Sequence, residues 1–67
     1  MGLSGAEVDR VVALLERESQ TKVAQVLRTA AALLDWLADV VDMASALWGR
    51  LRQFAADIWR DLRGIFL

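Results

Sequence analysis

An all-α fold is predicted by three observations. Apolar residues recur at helical spacing from Val23 to Ile65, proline is absent, and residues 3–8 carry a helix-start signature. In that signature Ser4 and Glu7 form an S-x-x-E capping box, in which each side chain satisfies one orphan amide of the first turn. Leu3 and Val8 are spaced as a hydrophobic staple, and Glu7 and Asp9 place negative charge where the helix dipole favours it. With Val8, Val11, Val12 and Leu15 on one face, the first helix is expected over about residues 5–18.

The pattern fails between Glu16 and Lys22, a stretch with no apolar residue. Ser19 and Thr21 are both suitable N-caps, so a turn is expected near residues 19–21. From Lys22 the composition is again helical, with neither proline nor a run of β-branched residues. Gly49 is the one punctuator before Gly64, and Ala44, Leu47, Trp48 and Leu51 stay in phase across it. A long amphipathic helix over about residues 22–66 is therefore expected, with Gly49 as the place where it could bend or break. The product is a single helical domain spanning residues 1–67, either a bundle or an oligomeric helical assembly.

The apolar stripe runs through Val23, Val26, Leu27, Leu33, Leu34, Leu37, Val40, Val41, Leu47, Trp48, Leu51, Ile58, Leu62 and Ile65. Over residues 23–48 it covers close to half of the helix circumference, wider than the seam of a two-stranded coiled coil. One helix over residues 21–66 would be roughly 69 Å long, against about 21 Å for the first helix. Such a stripe must fold back on itself or meet other molecules, because an open one exposes more than the few hundred Å² usual for a monomer. On that reading a charge at Leu37 is expected to abolish assembly.

Composition narrows the function classes. Hydrophobic residues make up 57% of the chain, which signals a high demand for burial. Cysteine and histidine are absent, so disulfides and the usual zinc ligands cannot staple so small a core. Without His, Cys or Tyr, and with Lys22 as the only lysine, the common acids, bases and nucleophiles are missing, and no enzyme activity, cofactor or small-molecule substrate is expected. Asp35, Asp39 and Asp42 would share one face of a continuous helix, but a linear row rarely supplies the six oxygens a hard cation takes, so no metal site is expected.

The net charge is −1, which gives no general attraction to nucleic acid. Residues 23–48 sum to −2 and residues 49–67 to +2, an asymmetry that suits either helix-dipole complementarity or pairing between neighbouring chains. Arg50, Arg52, Arg60 and Arg63 are interrupted by Asp57 and Asp61, and no nucleic-acid-binding signature accompanies them. The N-terminus MGLSGAEVDR lacks a basic and apolar leader pattern, and the window Thr29 to Gly49 holds three aspartates. Neither a signal peptide nor a simple membrane-spanning helix is expected, which favours the cytoplasm.

Trp36, Trp48 and Trp59 fall on the borders of the stripe, and with Phe66 they are candidate interface anchors. The expected function is structural: a small helical subunit that self-associates, or binds a helical partner, through the stripe. The competing reading is a membrane-active amphipathic peptide of the leaderless-bacteriocin or surface-coat kind, suggested by the tryptophans and the Ile65-Phe66-Leu67 end. An artificial bundle is a third, since cap and staple are also design devices.

Overall fold

A computed structural model describes residues 5–67, so Leu3 and Ser4 of the expected staple and capping box lie outside the described residues. Among the described residues five short helices follow one another: α1 (Gly5–Leu15), α2 (Gln20–Val26), α3 (Ala30–Val40), α4 (Ala46–Gln53) and α5 (Ala55–Phe66). The all-α bundle expected from the sequence is what forms. Its division is different: the single long helix over residues 22–66 is interrupted at residues 27–29, 41–45 and 54.

The first three interruptions follow from local side-chain chemistry. α1 tightens at its end, where the Arg17 and Glu18 amides donate to the Leu14 and Leu15 carbonyls at 3.3 and 3.0 Å. The turn thus falls at residues 16–19 rather than 19–21, and Ser19 opens α2, its hydroxyl accepting from the Lys22 amide at 3.1 Å. Thr29 repeats the device for α3, with extended backbone and a side chain that accepts from the Ala32 amide at 3.0 Å. Val40 and Val41 place two β-branched side chains in succession before Asp42, a local weakening of helix propensity. The chain turns there, and Ser45 caps α4 by accepting from the Trp48 amide at 3.2 Å.

The break at Phe54 is only one residue wide. Its amide donates to the Arg50 carbonyl at 3.1 Å and its carbonyl accepts from Ile58 at 2.9 Å, so α4 and α5 form a bent pair with a nearly continuous ladder. Gly49, the expected bend, lies inside α4. A Cβ added there would meet nothing within 4 Å, and the residue does not have positive φ. Gly49→Ala is accordingly expected to stabilise the fold by about 0.5–1 kcal/mol, read as a higher urea midpoint. A lower midpoint would show that the glycine is needed.

α3 is the centre of the packing, lying against α2, α4 and α5, while α5 also meets α1 and α4. The core is built from Val11 and Leu15 of α1, Val23, Val26 and Leu27 at α2, Leu33, Trp36 and Leu37 of α3, Leu51 of α4, and Ala55, Ile58 and Leu62 of α5. Among the described residues no polar or charged residue is buried. The radius of gyration is 10.8 Å, and a compact domain of this length is expected at about 11 Å. The accessible surface of 4398 Å² is also close to the roughly 4,200 Å² of a compact monomer of this mass. Folding back thus covers most of the stripe within one chain.

Candidate interaction surface

The stripe divides into three groups by burial. Val23, Val26, Leu27, Leu33, Leu37, Leu51, Ile58 and Leu62 are buried in the chain's own core. Leu34, Val41, Leu47 and Trp48 are half-buried, and Val40 and Ile65 are exposed. The first group is occupied by intrachain packing, so any surface for a partner must draw on the other two.

The tryptophans separate in the same way. Trp36 is buried, and its indole N–H donates to Glu18 Oε2 at 2.9 Å, tying α3 to the turn after α1. Trp59 donates to the Leu27 carbonyl at 2.8 Å and thereby satisfies a carbonyl left over at the C-terminal end of α2. The Arg63 guanidinium lies 5.0 Å from the Trp59 ring, within cation–π reach. Trp48 is half-buried and makes no side-chain hydrogen bond among the described residues. Phe66 is half-buried beside Gln20, Val23 and Leu67.

The charged segments do not pair with each other. Among the described residues, ion pairs join Arg50 to Glu7 of α1 and Arg60 to Asp57, the latter at 3.3 Å on the exposed side of α5. The Arg50 guanidinium also lies 5.7 Å from the Phe54 ring. Asp35 and Asp39 remain on the exposed face of α3, whereas Asp42 sits beyond the helix end and caps a turn, so the row of three is broken up.

Among the described residues, two exposed apolar areas remain. One is the end of α5, where Ile65 and Leu67 stand beside the first turns of α1 and α2. The other is the corner between α3 and α4. Arg10 and Leu14 from α1, Val40 and Val41 from α3, Asp42 and Ser45 from the turn, and Leu47 from α4 line a cleft of about 260 Å³. Small-molecule pockets commonly enclose ~300–1,000 Å³, so this cleft is scaled to a side chain.

Met43, in the turn between the lining residues Asp42 and Ser45, is 61% exposed. Its turn is held by Asp42, whose Oδ1 accepts from the Ala44 amide at 2.9 Å and whose carbonyl accepts from the Ser45 hydroxyl at 2.6 Å. Sequence periodicity did not single out Met43, because it lies on no helix. The available signal was D-x-x-S, an Asx turn running into an N-cap. No helix among the described residues is long and apolar enough to cross a membrane. No protein-family pattern, characterised protein or solved structure matches the chain.

Proposed function

We propose that this protein is a small structural subunit that self-associates through the apolar surface its own fold leaves uncovered. The observation that carries this reading is the cluster at the α3–α4 corner, where exposed Val40 and half-buried Leu14, Val41 and Leu47 line one cleft, and exposed Met43 lies in the turn between the lining residues Asp42 and Ser45. Scattered single apolar residues are ordinary on any surface, but a grouped set beside a concavity is the pattern of an interaction site. Two of the three tryptophans direct their N–H groups to intrachain acceptors, which withdraws them from the polar side of a membrane belt.

Sedimentation velocity across a wide concentration range, with circular dichroism in the presence and absence of anionic vesicles, tests the reading. Concentration-dependent helical oligomers indifferent to lipid are the expected result. A monomer at every concentration, or helicity gained only on vesicles, would overturn it.

A further inference from the structure

Resting on the self-association reading, we infer that the α3–α4 corner is a two-fold interface in which Met43 of each copy enters the cleft of the other. The corner carries an exposed methionine in the turn between Asp42 and Ser45, two of the residues that line the cleft. Met43 is the knob: its backbone is fixed by the Asp42 and Ser45 hydrogen bonds, while its side chain stays exposed and unpartnered by the core. Fixing the backbone beforehand lowers the ordering cost of docking, and the unbranched thioether adapts to an irregular hole. The hole is the cleft, whose lining includes the apolar side chains of Leu14, Val40, Val41 and Leu47 and whose volume is below that of most ligand pockets.

Charge identifies the occupant. One cation, Arg10, and one anion, Asp42, stand on the lining of the same cleft. A patch holding one charge of each sign is self-complementary under a two-fold axis, which sets Arg10 of each copy against Asp42 of the other and places no like charges face to face. The same pair sums to zero and offers nothing to a polyanion or an anionic lipid surface. Arg10 forms no ion pair among the described residues, and one carboxylate oxygen of Asp42 is taken by its turn while the other remains for a partner.

Size sets the expected strength. A standard stable interface removes about 800 Å² from each partner, nearly a fifth of the 4398 Å² this chain exposes. The corner supplies only the centre of such an area, so a reversible dimer at the weak end of the range is expected.

The experiment measures dimer dissociation by sedimentation equilibrium for the full chain and four variants. Met43→Glu puts a charge on the exposed knob and is expected to weaken association about tenfold or more, with the helical signal unchanged. Arg10→Glu is expected to weaken it through repulsion from Asp42 of the partner copy. Asp42→Asn keeps the oxygen that caps Ala44 and removes the charge, so alone it weakens association several-fold. In the Arg10→Glu background the same change removes the repulsion and strengthens association.

That reversal of sign, seen in the dissociation constant and absent from the melting midpoint of dilute monomer, is the signature of pairing between copies. If the wild-type chain dimerises while Met43→Glu dimerises equally well, or the reversal is absent, this interface is overturned and self-association stands by another face. If the wild-type chain never associates, both readings fall.

Discussion

Leu37→Asp is expected to leave the chain unfolded rather than merely dissociated. Leu37 lies at the middle of α3, fully buried among the helices that pack against it. No cation is buried nearby, because the core contains no polar or charged residue among those described. An unpaired carboxylate there must stay charged at a cost of several kcal/mol or bind a proton at a comparable one. A core of this size supplies only about 3–5 kcal/mol in total, so the substitution consumes all of it. Loss of the helical circular dichroism signal and of a cooperative melt are the readouts. A folded, helical, monomeric variant would instead show that Leu37 faces a partner and that the packing around α3 is wrong.

Trp59 offers the second large effect, and two substitutions separate its parts. Trp59→Ala removes a large, half-buried ring from the seam between α5 and α2 and leaves the Leu27 carbonyl without its donor. Full truncation of a buried aromatic costs about 3–5 kcal/mol, and partial exposure places this one near the lower bound, roughly 3 kcal/mol. Trp59→Phe keeps most of the ring and deletes only the donor, at about 1 kcal/mol. In a domain of this length that lowers the melting midpoint by about 4–8 °C. A Trp59→Phe chain as stable as the parent would mean that water replaces the indole N–H.

How much of this was legible in the sequence depends on what each signal reports. Helical spacing and the absence of proline gave the helix class, because both act on local backbone preference. The positions of the breaks were obscured by phase. The apolar positions keep helical spacing along the sequence through the connections at 27–29 and 41–45, where Leu27, Val41 and Ala44 fall in phase with the stripe, so the pattern reads as though nothing had intervened. The hydroxyl caps Thr29 and Ser45 were the overlooked markers, each one residue before a helix and neither followed by a Glu or Gln three residues on.

Hydrophobic content also overstated the number of side chains a core must cover. Ala13, Ala24, Ala31 and Ala56 are exposed, and they serve as helix formers rather than core. The partners of Trp36 and Trp59 were beyond sequence reading, since Glu18 and the Leu27 carbonyl are 18 and 32 residues away. Of the candidate surface, Val40, Val41 and Leu47 were legible as apolar positions, while Met43 and its relation to Arg10 exist only once the chain turns.

The bent α4–α5 pair also bears on the order in which the chain assembles. Contacts of α2 with α3, α3 with α4 and α4 with α5 join neighbours along the chain and close only short loops. Docking of α1 is different: the Glu7–Arg50 pair closes a loop of 43 residues, and α1 reaches α5 from the opposite end of the sequence. α3 also meets α5 across α4, over a shorter loop, so docking of α1 is the step expected to come latest in folding. α1 is therefore expected to be the element whose amides exchange soonest with solvent, ahead of those in α3 and α5.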